Sequence, residues 1–147
     1  MAVIKNYSTT ISAAKTAGEV QALLAEHGAS RIAIDYVDRQ PAGVIFQAKD
    51  GQIFNLPVDA EAMHRTIRAE VRAGRLRGIS QAQADSIEHA RRVAWRVIKD
   101  WVDAQMTLVA TQMASLDEVM LPYLQVEGRS LYAAYQDQQM RAIEGGR

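Results

Sequence analysis

The chain predicts an α+β fold in a single domain. It starts with an N-terminal helix and a three-stranded antiparallel meander, followed by a helical hairpin with one long helix and a short C-terminal helix. Three observations predict it. Apolar residues recur at helical spacing before residue 28, alternate with a period of two from residue 31 to 58, and return to helical spacing afterwards. The 147 residues suit one core of ordinary size. They divide into helix plus sheet over about residues 12–58 and a helical part over 59–143.

The first helix is expected at residues 17–27. Thr16 lies three before Glu19, the spacing of a capping box. Val20, Leu23, Leu24 and His27 follow at helical spacing, and Gly28 can end the helix in the left-handed region. In Arg31–Val37 the residues Ile32, Ile34 and Tyr36 share one face, as on a half-buried strand. Asp38 to Pro41 reads as a polar turn before a second strand over Gly43–Ala48. Asp50-Gly51 then separates two apolar runs, a hairpin signal. Gln52–Val58 is the third strand, with Pro57 at its exit.

Asp59 can cap a second helix through about Ala73, with Gly74 as its stop. Met63, Ile67 and Val71 recur on one side, while Arg65, Arg68 and Arg72 stack in a row on another. Arg75 and Arg77 follow in a glycine-bounded loop. Ser80 and Gln83 form a second capping box. No Gly or Pro then occurs until Pro122, which allows a long helix over 81–121, with a break near Ser115 if Ser115 and Glu118 recap the chain. Val102, Met106, Val109, Met113, Leu116 and Met120 are spaced 4-3-4-3-4, an apolar stripe suited to a partner helix. The short helices of the same chain cannot cover it fully, so a second copy, antiparallel in a two-fold homodimer, is the expected partner. Core packing within one chain is the rival reading. Ser130 can start the last helix, Leu131–Ile143.

The chain has no cysteine, which removes disulfides, thiolate metal sites and thiol nucleophiles. The start, MAVIKNYSTTIS, lacks an apolar core of signal-peptide length, and no run of about 18 apolar residues occurs. A cytoplasmic protein with no membrane partner is expected. Net charge is zero but uneven. Residues 1–63 carry five Lys/Arg against seven Asp/Glu, residues 64–99 nine against three, and residues 100–147 three against seven. A basic block between two acidic ones points to an anionic ligand or to charge matching between chains.

Catalytic patterns are missing. Glu61 and His64 have the Glu-x-x-His spacing of dimetal bundles, but no second such pair accompanies them. There is no Gly-x-Ser-x-Gly elbow, and Asp85-Ser86 near His89 reads as polar helix surface. Neither a Walker loop nor a Gly-x-Gly-x-x-Gly fingerprint is present. A non-enzymatic protein without cofactor or metal is expected, an unrecognised hydrolase or nuclease being the outside alternative.

The segment RRVAWRVIKDW, residues 91–101, carries the most suggestive chemistry. On a helix Arg92, Arg96 and Lys99 form one ridge with Trp95 beside it. Guanidinium forks pair with phosphate oxygens, and an exposed indole stacks on a nucleobase. Arg65, Arg68, Arg72, Arg75 and Arg77 extend that surface if the second helix packs alongside. The competing reading is a solvated face over a core. Glu88–Arg92, Arg96–Asp100 and Lys99–Asp103 are then i, i+4 ion pairs, and both tryptophans are buried.

Ala94-Trp95-Arg96-Val97-Ile98-Lys99-Asp100-Trp101-Val102-Asp103-Ala104-Gln105-Met106, with Leu116-Asp117-Glu118-Val119-Met120-Leu121-Pro122-Tyr123-Leu124, resembles a pattern in small phage and prophage proteins. That resemblance covers roughly residues 10–135 and brings no assigned activity. In architecture alone the chain is similar to phage sponges that sequester nucleotide immune signals, the Thoeris anti-defence type. The resemblance implies a phage-type accessory (anti-defence) protein, in the host cytoplasm, that binds an anionic nucleotide or nucleic acid. The alternative is an oligomeric interaction module that binds a host or phage protein.

Overall fold

The computed structural model describes residues 4–145. The order is α1 (Ala13–Glu26), β1 (Arg31–Val37), β2 (Gln40–Gln47), β3 (Ile53–Pro57), α2 (Ala60–Arg72), α3 (Gln81–Asp85) and α4 (Ile87–Ala110). A short α5 (Leu116–Met120), a 3-10 turn (Leu121–Tyr123), a hairpin of β4 (Gln125–Val126) and β5 (Arg129–Ser130), and α6 (Leu131–Gly145) complete the chain. The predicted α+β class is the observed one.

Helix α1 starts four residues before the expected position. Ser12 is its N-cap and accepts from the Lys15 amide. The predicted Thr16–Glu19 capping box does not form, because both side chains turn toward α4, where each meets Arg96.

The sheet is an antiparallel meander in the order β1-β2-β3. Its first turn is tighter than expected. Asp38 and Arg39 both sit at positive φ, 51° and 66°, the twist of a two-residue hairpin turn. Pro41 therefore lies inside the central strand, where a residue without an N–H breaks the ladder. The sheet accommodates it with a bulge. Asp35 opposes Gly43 but Tyr36 opposes Pro41, leaving Ala42 extra. Ala42 is not left unsatisfied, since its carbonyl accepts from the Val58 amide at 2.9 Å.

One sheet face is the core face. Val44, Phe46, Phe54 and Leu56 are buried there, with the two phenylalanine rings 5.2 Å apart. Helices α1 and α4 supply the opposite wall through Val20, Leu24, Trp95, Val102 and Met106. A second cluster lies on the α2 side of α4, where Ile67, Leu76 and Ala84 meet Ala90, Val93 and the N-terminal Ile4. Helix α4 is thus apolar on two sides, a central element rather than a surface one.

The expected long helix over 81–121 is three helices. Ser86 is extended (φ −85°, ψ 119°) and caps α4 through its side chain, separating α3 from α4. At the other end Gln112 takes φ 64° and stops the helix. The anticipated recapping follows, with Ser115 and Glu118 forming a capping box that starts α5. Helix α4 has 24 residues, about 36 Å.

This break overturns the predicted dimer seam. Val102, Met106 and Met120 are buried in the chain's own core, with Val109 and Leu116 packed partly buried against it. Met113, in the turn, is left exposed. Because α5 folds back, residues on either side of the turn enter one cluster, and the stripe is covered intramolecularly.

Trp95→Ala should destabilise the domain by about 3–5 kcal/mol through the cavity it leaves. Trp95→Phe should cost less, roughly 1–3 kcal/mol, mainly for the carbonyl it leaves unpaired. Urea unfolding checks both. A Trp95→Ala variant within 1 kcal/mol of wild type (about a fivefold change in the equilibrium constant) would contradict this packing.

Candidate functional site

The basic ridge of α4 is not a free surface. Trp95, placed beside the ridge in the sequence reading, has 0% of its surface exposed. Its Nε1–H donates to the Pro41 carbonyl at 3.0 Å. An enclosed ring cannot stack on a base, so the predicted stacking role of Trp95 is corrected. The cause is the bulged central strand, whose Pro41 carbonyl is the polar partner that lets an indole be buried.

Arg96 faces α1. Its Nη1 donates to the Glu19 carboxylate and reaches Thr16 Oγ1 at 3.5 Å. The expected Arg96–Asp100 pair is absent, Asp100 accepting instead from Asn6 Nδ2 at 2.8 Å. Lys99 and Asp103 do pair, at 4.0 Å. Glu88 pairs with Arg91 rather than Arg92. Arg92 turns inward, its Nη2 3.4 Å from Nδ1 of the buried His89. The other His89 nitrogen, Nε2, lies 2.6 Å from the Tyr7 carbonyl. A carbonyl can only accept, so Nε2 carries the proton and Nδ1 receives the Arg92 N–H. Arg92 Nε is buried without a hydrogen-bond partner among the described residues. This chain of bonds holds the N-terminal segment on α4.

The α2 arginines divide. Arg68 pairs with Asp85 at 3.4 Å. Arg75 forms a two-pronged contact with Glu70, Nε to Oε2 at 2.6 Å and Nη2 to Oε1 at 2.8 Å. That hydrogen bond holds the Glu70 carboxyl below its ordinary range against the opposing effect of burial, with the Arg75 charge adding to the lowering. The same bond raises the Arg75 guanidinium. Arg65, Arg72 and Arg77 are exposed and have no acidic partner among the described residues. The α4 and α2 rows do not merge. Helix α2 meets α4 at Ala90, Val93 and Val97, about a third of a turn from Arg92, Arg96 and Lys99.

The largest surface anomaly lies elsewhere. Helix α6 has 15 residues and none is buried. Tyr132, Tyr135, Met140 and Ile143 are 53%, 55%, 57% and 61% exposed. Beside its start, Leu121, Pro122, Leu131, Tyr132 and Tyr135 line an open, mainly apolar concavity of about 400 Å³. A neighbouring one of about 510 Å³ is walled by Asn55, Pro57, Tyr123, Gln125 and Tyr132. Neither has a charged lining residue. The sequence did carry a signal for this face, the spacing of Tyr132, Gln136, Gln139 and Ile143 along a last helix, but not that nothing would cover it.

Among the described residues no three His, Asp or Glu side chains converge as a metal site. No helix there is long and apolar enough to cross a membrane. His64, of the Glu61/His64 pair, bonds to the Asp85 carbonyl through Nε2 at 2.9 Å, joining α2 to the end of α3. Comparison with known proteins finds no family model, no curated protein and no solved structure that matches the chain.

The Glu70–Arg75 pair predicts a pH dependence. A carboxyl lowered in the folded state contributes stability that is present above its unfolded value, near 4.5, and lost as pH falls through the folded value. Glu70→Gln should therefore be less stable than wild type at pH 7 (about neutral, where the carboxylate is ionised), and the gap should close on acidification. Chemical denaturation across the acid range measures it, and a gap that stays constant would refute the linkage.

Proposed function

We propose that this protein is a non-catalytic interaction module whose docking element is α6. One observation carries the reading: a 15-residue helix with no buried residue presents Tyr132, Tyr135, Met140 and Ile143 on its surface. A helix of that length is marginal in water by itself, and an amphipathic helix gains its stability by covering its apolar side. Exposed aromatic and Met side chains together are the composition of interface centres. The adjoining uncharged concavities favour an apolar partner surface over an anionic small ligand.

The docking helix can be changed without harming the fold. Tyr135→Glu with Ile143→Glu should leave the melting temperature within about 2 °C of wild type, because neither side chain is in the core. The same change should remove most of the fluorescence enhancement of an apolar dye added to dilute protein. A drop of many degrees, or undiminished dye binding, would count against α6 as the docking element.

A second reading has its own observation. Arg65, Arg72 and Arg77 present three exposed guanidinium groups on or beside one helix. They are spread over an exposed surface, which suits the backbone of a nucleic acid better than an enclosed nucleotide, and the enclosed Trp95 offers no stacking ring. It keeps the phage accessory reading as a proposal in which the anion is a polymer. Three phosphate contacts to single-stranded DNA predict a loss of affinity of roughly 20-fold between about 50 and 200 mM salt. Fluorescence anisotropy measures it, and Arg65→Glu/Arg72→Glu/Arg77→Glu should abolish binding. Binding by that variant at wild-type strength would remove this reading.

A further inference from the structure

The α6 surface has an internal symmetry that names its occupant. Resting on the reading of α6 as the docking helix, we infer that it pairs antiparallel with α6 of a second copy of this chain. At about 100° per residue, Tyr132, Gln136, Gln139 and Ile143 run along one line of the helix, with Tyr135 on one edge and Met140 on the other. Their spacing of 4-3-4 is that of a coiled-coil seam.

In size and polarity the line is matched from either end, a large apolar residue at each end and an amide at each inner position. About the point between Asp137 and Gln138, Tyr132 meets the partner's Ile143 and Gln136 meets the partner's Gln139. Tyr135 and the partner's Met140 then close the two edges at one level. A two-fold interface demands this self-complementarity, since every contact must occur twice with the roles exchanged. A surface shaped for an unrelated protein carries no such requirement.

The placement of charge agrees with the pairing. Of the charged residues of α6, Asp137 and Arg141 fall on the far side of the helix and Glu144 on its flank, about 100° round from Ile143, so no like charges meet across the seam. Asp137 is held outward by Arg129. The central amides give the pair a polar layer that fixes register, as a polar seam position does in coiled coils. At roughly 100 Å² for each of the four large apolar side chains, the seam buries on the order of 800 Å² over both copies. That is a weak interface.

Sedimentation velocity on the intact chain tests the proposal. A monomer–dimer equilibrium is expected with a midpoint of about 10–100 µM, and Ile143→Asp should raise the midpoint at least about tenfold. Arg141→Ser, on the far side, should leave it unchanged. Orientation is tested by oxidation, because the chain has no cysteine. Tyr132→Cys protein mixed with Ile143→Cys protein should give a covalent dimer, while Tyr132→Cys protein alone should not. Self-linking of Tyr132→Cys as fast as in the mixture would overturn the antiparallel pairing. A chain that stays monomeric to about 1 mM, roughly tenfold above the upper end of that midpoint range, would overturn the second copy as occupant. If dye binding at α6 persists in that monomer, the docking reading survives; if it is lost as well, both fall.

Discussion

The burial of Trp95 is the constraint from which most of this structure follows. An indole with no exposed surface needs an acceptor for its N–H, and here the acceptor is the Pro41 carbonyl at 3.0 Å. Pro41 can sit in a central strand only because of the bulge at Ala42, which takes the missing N–H out of the ladder. The same bulge leaves Ala42 to receive the Val58 amide, which fixes the path from β3 toward α2. One side chain of α4 is thereby tied to the irregularity of the sheet, and α4 takes its place between the sheet and α2.

Once α4 is central, its charged residues acquire structural work. Arg96 bonds to α1 through Glu19 and Thr16, Arg92 bonds through His89 to the N-terminal segment, and Asp100 takes the Asn6 amide. The basic block in the middle of the sequence therefore overstates the cationic surface. Of its nine cations, Arg68, Arg75, Arg91, Arg96 and Lys99 are in ion pairs, three of them with acids in the same block. Arg92 is turned inward. What remains for an outside partner is the α2 side, with Arg65, Arg72 and Arg77.

Local signals in the sequence were legible where a single element decides the outcome. The alternation over residues 31–35, the Asp50-Gly51 turn, the Asp59 cap and the recapping at Ser115 all stand in the structure, whereas Tyr36, expected on the half-buried face with Ile32 and Ile34, lies past the register shift and is exposed. Signals requiring a tertiary partner were misread in a consistent way. Thr16 and Glu19 have capping-box spacing, yet Arg96, 77 residues from Glu19, takes both. Val102 to Met120 has coiled-coil spacing, yet left-handed Gln112 turns the chain and directs the stripe into its own core. Helical periodicity reports that a face is apolar; it cannot report whether the same chain or another covers it. The β4–β5 hairpin went unseen because two-residue strands are too short for any period, and only Glu127-Gly128, both at positive φ, mark it.

That distinction decides how the two apolar stripes of this chain are to be read. The first, on α4, looked like a dimer seam and is satisfied internally, with Val102, Met106 and Met120 each at 0–1% exposure. The second, on α6, has the same spacing but is apolar only at its ends, Tyr132 and Ile143, with Gln136 and Gln139 between them, and none of its residues is buried. Its helix is held at one end only, by the Ser130 cap on Ala133, the Arg129–Asp137 pair and packing on the turn at Leu121. Those contacts fix where α6 starts, not what covers its later turns. Leaving Tyr135, Met140 and Ile143 in water forgoes roughly 1–2 kcal/mol each of burial at their observed exposure. The domain already has two closed clusters without them, so the exposed face is not needed to hold the fold. A surface that costs stability by staying uncovered, and that the core does not use, is where selection for an interaction would act.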